Sequence, residues 1–426
     1  MSTKDEEGVM LLLQHHHDRV CLINLREPSL QKLVVVMDKP FPMLEHLRLI
    51  SPDPWYQSQL PKTFTAQRLR HLALIQVGDV LAPGIPLLGS ITITGLVTLS
   101  LIKIPSPTTL PLSYLISRLS LMPLLQHLAL QFDPEELQAS STGNVNRDLA
   151  VLQTQVVQLC KLDTIVYKGR CTYLEGLVSW ICTPRLTCFM SIFFPQPSVP
   201  LPCLSEFLTT AEELRYPGCS ITIIDQFEDD PGVEITVGDL KEFIEETPDD
   251  APFRIRFPCR GLDVQAACAA QISTALAPML SSVERLHLEY YATRRRRGFL
   301  PEVPREAWLE LLRPFSNVQK LQLDAAMTRE LSYALCPKDG PPAEGILPKL
   351  SRISRPFYAP FQGMLDPFIA AREAAGQTIY TRQWLPASHS ESEEDLRALA
   401  SDEETSTELD SDEESDEDFD HESESE

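Results

Sequence analysis

The chain has 426 residues, 43% hydrophobic and 23% charged, with a formal net charge of −23. Residues 387–426 hold nineteen acidic side chains against one basic, Arg397, so they carry −18 and the other 386 residues only −5, an ordinary solvated surface. Ten scattered cysteines with no C-x-x-C pair argue against a disulfide frame or zinc cluster and for a reducing compartment, and the longest early apolar run, Val9 to Leu13, is too short for a signal sequence or membrane span. The expectation is a cytoplasmic or nuclear protein with no membrane contact.

Residues 1–19 read as a polar start and a lead-in helix, VMLLLQHHHDRV. His15, His16 and His17 are consecutive, and three consecutive side chains cannot point one way, so they read as a solvated helix end rather than a metal site. From Val20 an apolar spacing, L-x-x-L-x-L, sets in and returns: Val20, Ile23, Leu25; Leu44, Leu47, Leu49; Leu69, Leu72, Leu74; Leu96, Leu99, Leu101; Leu125, Leu128, Leu130; Leu162, Ile165, Tyr167. Leu186 and Phe189 carry a worn copy, Val283, Leu286, Leu288 and Val318, Leu321, Leu323 good ones, and Leu350 with Ile353 a poor one.

First anchors from Val20 to Leu186 stand 24 to 29 residues apart except for one step of 37, and one leucine-rich repeat takes about 20–29 residues, a strand plus a returning helix or turn. The predicted fold is therefore α/β: a leucine-rich-repeat solenoid over residues 20–386, with a curved, mostly parallel sheet and helices and loops on its convex side. An ordinary α/β domain is the alternative, but it does not repeat the leucine spacing. The spacing predicts helices over Leu112–Leu121 and Leu149–Leu159, each with an apolar face. Between Cys219 and Phe257 the leucines fade, yet SITIID, VEITV and FRIRF alternate like strands. Too few residues separate the first two for a parallel crossover, so they read as a hairpin turning at Asp229–Gly232. A helix from Asp263 to Leu280 then leads back into the repeat. Asp366–Pro367 opens a last helix and Gly376 stops it, a candidate end cap.

On each repeat strand, residues flanking the inward leucine face out. One column reads Leu22, His46, His71, Thr98, His127, Thr164, Cys188, and the next Asn24, Arg48, Ala73, Ser100, Ala129, Val166, Met190. A floor that turns small and apolar suits a peptide or helix better than a phosphate-rich ligand. His46, Arg48, His71 and His127 are the candidate contacts for a protein partner on the concave sheet face. His46 and His71, on adjacent strands about 4.8 Å apart, raise metal binding or pH sensing against the plainer account of histidine filling an exposed repeat position.

Arg294–Arg297 form the one basic run, read as a nuclear signal, a nucleic-acid contact, a docking point for the tail or a solvated loop. Only Tyr290, Tyr291 and Phe299 lie near it, little support for base stacking. The tail, 387–426, cannot bury enough apolar surface to fold and is predicted to be disordered. In it Ser392, Ser401, Ser411 and Ser415 each have an acid three residues on, the context of acidophilic kinases. Such a tail binds basic proteins weakly and salt-dependently, or keeps the body soluble. No G-x-x-x-x-G-K, G-x-G-x-x-G, H-E-x-x-H or G-x-S-x-G is present, so the expectation is no enzyme, no cofactor and no metal.

From Asp5 to Trp384 the chain resembles the large family of F-box and leucine-rich-repeat proteins of basidiomycete fungi. The resemblance rests on DEEGVMLLLQHHHDRV, LQKLVVVMDKPFPMLEHLRLI, YLEGLVSWICTPRL, LRPFSNVQKLQLD and PFIAAREAAGQ in that order. It implies a repeat region that chooses substrates for a cullin-RING ubiquitin ligase, joined by an amino-terminal F-box to a Skp-type adaptor. An F-box would precede Asp5, so the expectation is a truncated or repeat-only chain without adaptor docking.

Overall fold

The aliphatic triplets feed short strands that lie side by side. The computed structural model describes residues 3–26, 36–50, 64–76, 93–104, 110–134, 156–196, 201–224, 231–239, 251–291, 303–336, 345–356 and 363–384. The chain divides into two units, Met1–Leu385 and Pro386–Glu426, and every described residue lies in the first. Residues Arg294–Arg297, the tail 387–426 and its serines Ser392, Ser401, Ser411 and Ser415 lie outside the described residues.

The strands of the first half are β1 (Leu22–Arg26), β2 (His46–Ile50), β3 (His71–Ile75), β4 (Thr98–Ile104), β5 (His127–Phe132), β6 (Val157–Gln158), β7 (Thr164–Gly169), β8 (Ile181–Cys182) and β9 (Cys188–Phe193). Those of the second half are β10 (Gly218–Ile224), β11 (Gly232–Gly238), β12 (Phe253–Pro258), β13 (Arg285–Tyr291), β14 (Lys320–Leu323), β15 (Arg352–Pro356) and β16 (Tyr380–Trp384). All but β6 and β8, which pair with each other, join one 14-stranded sheet ordered β1-β2-β3-β4-β5-β7-β9-β12-β11-β10-β13-β14-β15-β16. Pairing is parallel throughout it except at β10–β11 and β11–β12. The architecture is α/β with a large, mostly parallel sheet.

The register aligns the triplets: Leu47, Leu72, Leu99, Leu128, Ile165, Phe189 and Phe253 are successive Cα partners, all buried. A one-residue slip would turn every one of them to solvent, so the apolar alternation itself specifies this register. The backbone ladder begins before the strands, with Arg70 N donating to Glu45 O, Val97 N to Arg70 O, Gln126 N to Val97 O and Asp163 N to Gln126 O, so few polar backbone groups are left unpaired between neighbours. Past β5 the core turns aromatic: Phe132 meets Tyr173 edge-on at 4.8 Å between centroids, and Phe193 stacks on Phe257 at 4.4 Å.

The helices are α1 (Thr3–His16), α2 (Leu112–Leu119), α3 (Cys171–Val178), α4 (Pro202–Thr210), α5 (Leu262–Ala275), α6 (Ala277–Leu280), α7 (Arg305–Leu312), α8 (Ala325–Leu335) and α9 (Asp366–Ala374). As the spacing predicts, α2 buries Leu112, Leu115, Ile116 and Leu119. The expected helix over Leu149–Leu159 needs correction: residues 149–155 lie outside the described residues, and Val156 to Leu159 is extended. There Val157 N donates to Trp180 O and Leu159 N to Cys182 O, and pairing with β8 overrides helix periodicity in a short stretch with two β-branched residues. The expected helix from Asp263 to Leu280 is α5 and α6, broken at Leu276. Pro278 lacks the N–H to continue a helix and its ring collides with the turn before it.

The hairpin between SITIID and VEITV is present as β10 and β11, while residues 225–230 of its turn lie outside the described residues. FRIRF adds β12 to it, and the three strands enter the sheet in reverse chain order, so that β12 lies parallel to β9 and β10 parallel to β13. No helix among the described residues is long and apolar enough to cross a membrane.

Candidate functional site

Because side chains alternate on a strand, burying the triplets forces the intervening residues onto the opposite, open face of the sheet. Register places them in rows. His46, His71, Thr98, His127, Thr164 and Cys188 are successive partners. Two residues further along the strands run Asn24, Arg48, Ala73, Ser100, Ala129, Val166, Met190 and Arg254.

The His46 and His71 rings stack in parallel, 4.2 Å between centroids and 4° between planes. Burial first, and then the charge of His46 beside it, push the His71 imidazole below its ordinary value. Its Nδ1 lies 3.0 Å from Thr98 Oγ1. His127 stands two strands from His71 and turns instead to Asp163, Nδ1 3.3 Å from Oδ1. Arg48 is exposed, two residues beyond His46 on β2. The four candidate residues thus share one face, but only His46 and His71 touch. Face-to-face rings aim their nitrogens sideways rather than at one another's, and among the described residues no group of three or more His, Cys, Asp or Glu is placed to hold a metal.

A third row is absent from the two columns read in the sequence. Ile50, Ile75 and Ile102 are successive partners, each half-buried, one strand position past the last buried leucine. The signal lay in the recurring endings HLRLI, HLALI and TLSLI. Three aliphatic side chains side by side on an open face form a strip on which a partner's apolar side chains can bury area. Toward the middle of the sheet the face becomes charged: Arg254 Nε stands 3.5 Å from Glu234 Oε1, with side chains only 17% and 14% exposed. Beyond them Ser220, Thr236 and His287 are buried, and burial pushes His287 down to about 4. Arg254, Glu234, Ser220 and Thr236 come from the reversed strands, whose place beside β9 no local pattern announces, and His287 comes from β13, paired with β10.

The sequence matches no protein-family model and no curated protein.

Proposed function

We propose that this chain is a leucine-rich-repeat protein without enzymatic activity that binds a protein partner through the open face of its sheet. The resemblance makes substrate choice for an F-box ubiquitin ligase its context, although the F-box and its Skp-type adaptor are no part of the proposal. One observation carries the reading: the register lines up exposed His46, Arg48 and His127 beside half-buried isoleucines and a floor of Ala73, Ser100 and Ala129. Polar groups for orientation around apolar and small positions are what a helix or extended peptide needs in order to dock. Repeat proteins commonly use this face.

Replacing Arg48 and His71 together by alanine tests it. Both lie outside the buried core, so thermal stability should stay within a degree or two of wild type, while retention of a captured partner falls roughly tenfold. Unchanged retention would move the site off this face. A second reading has its own observation, the nineteen acids between residues 387 and 426. In it the tail, phosphorylated at Ser392, Ser401, Ser411 or Ser415, binds histones or other basic proteins, and the repeats serve as scaffold. Deleting 387–426 separates the two: capture that survives the deletion and resists salt belongs to the sheet face, and capture that disappears with it belongs to the tail.

A further inference from the structure

We propose that the end of the sheet at β16 takes an acidic peptide of another protein as an added, extended strand, with the peptide's carboxylates facing Arg352 and Arg382. The site is separate from the contacts argued for His46 and Arg48, which lie at the other end of the strand order. Register assembles the charge. On β13, β14 and β15 the residues Arg285, Lys320 and Arg352 are successive Cα partners, and burial of Ile353 turns Arg352 and Ser354 to the open face. Tyr380 and Arg382 of β16 are the partners of Arg352 and Ser354, so the same alternation puts Arg382 on that face. Like charges directly opposite one another on neighbouring strands are destabilising. Arg285 is relieved by Asp239, its Nη2 2.8 Å from Oδ1. Lys320, Arg352 and Arg382 are exposed, and among the described residues none of the three has an acidic partner.

A charge that only keeps foreign strands off an edge belongs on the edge itself, whereas Arg352 and Lys320 lie one and two strands inside it. Their uncompensated field fits an anionic occupant. The backbone says which kind. Tyr380 N donates to Ser351 O, toward β15, and successive residues of a strand aim their backbone groups to opposite sides, so those of Thr381 and Gln383 point away from β15. Among the described residues no strand lies on that side. An extended peptide can pair with these N–H and C=O groups, and its alternate side chains then stand about 4.8 Å from Tyr380 and Arg382 along the ladder. A carboxylate there accepts charge-assisted hydrogen bonds from the Arg382 guanidinium, with Arg352 one strand further in. A nucleic acid would meet the charge but has no amides to pair with the strand edge.

The test titrates the full chain with a short fluorescent peptide in which Glu alternates with Thr, and with the same peptide carrying Gln for Glu. We expect the Glu peptide to bind roughly tenfold more tightly than the Gln peptide, and the double variant Arg352→Ala, Arg382→Ala to lose about that factor. Lys161→Ala with Arg185→Ala removes the same charge from exposed positions elsewhere and should change binding by less than about twofold. Hydrogen exchange of the unmutated chain supplies a second measurement: the Glu peptide should slow the amides of Thr381 and Gln383 and leave those of β1 unchanged. The proposal is overturned if the Glu peptide does not bind, if the two double variants lose affinity alike, if the Thr381 and Gln383 amides are not slowed, or if a single-stranded oligonucleotide of equal charge binds as tightly. The exchange measurement needs no substitution, so it decides whether or not the variants fold.

Discussion

Leu128 packs between Leu99 and Ile165 in the row of inward side chains and is 1% exposed. Truncating it leaves a cavity that neighbouring strands, held by their own ladders, cannot close, so Leu128→Ala should cost roughly 2–5 kcal/mol in denaturant titration. His46, on the neighbouring row, is exposed, and removing its ring should change stability by less than about 0.5 kcal/mol. His287 behaves differently from both. Buried beside Ser220, it stays neutral down to about pH 4, whereas in the unfolded chain an imidazole takes its proton near 6.5. Its folded value is depressed, so its contribution is complete above about 6.5 and is lost as pH falls toward 4, on the order of 3 kcal/mol in all. Asp324, pushed up to about 7 by burial against the pull of the Met327 and Tyr290 N–H groups, favours the fold at low pH and loses that effect as pH rises toward 7. The two oppose each other over this range. Thermal melts of His287→Gln and wild type at a series of pH values isolate the histidine: the difference between them should change between pH 6.5 and 4 and be flat above.

At the scale of elements, the helices are held by contacts that no local motif contains. The N-cap position of α4, Leu201, has no side chain to offer, and the helix is capped from a distance: Glu175, on α3, accepts from Cys203 N at 2.8 Å through Oε2 and from Leu204 N at 2.9 Å through Oε1. A buried carboxylate at a helix N-terminus meets both the orphan donors and the positive end of the helix dipole. Glu175→Ala should destabilise the protein by roughly 1–3 kcal/mol, and Glu175→Gln by less because one acceptor oxygen remains. Chemical denaturation measures both, and equal losses would show that packing rather than capping is what Glu175 provides. By contrast α8 is capped locally, Asp324 accepting from Met327 N at 2.6 Å, a spacing visible in the sequence itself. The short β6–β8 pair makes the same point in the other direction, where a partner strand holds Val156 to Leu159 extended at the end of a stretch with helical spacing.

For the described unit as a whole, stability is shared along a row of strands in which each touches only its neighbours. Such an array is held most weakly where a strand has one neighbour instead of two. The sheet order puts β1 and β16 at the two edges and the reversed strands β10–β12 inside. Hydrogen exchange should therefore release the amides of β1 and β16 first and those of β11, paired on both sides by antiparallel ladders, among the last. Exchange of β11 as early as that of the edges would mean that the inserted strands open as a separate unit, dividing the sheet in two.

The local sequence was enough to determine the triplets, their inward leucines, the position of each strand up to β9 apart from the short β6 and β8, the outward rows holding His46, Arg48, His71 and His127, and the hairpin of β10 and β11. All of these follow from a period-two alternation and a recurring spacing, which act between residues close in the chain. Tertiary structure alone decided that β12 joins β9, that His46 and His71 stack while His127 turns to Asp163, and that Glu175 caps a helix 28 residues away. Each of these depends on which segments become neighbours once all apolar faces compete for the same core, a choice made by the total area buried and by the pairing of every backbone group, and not by any short stretch.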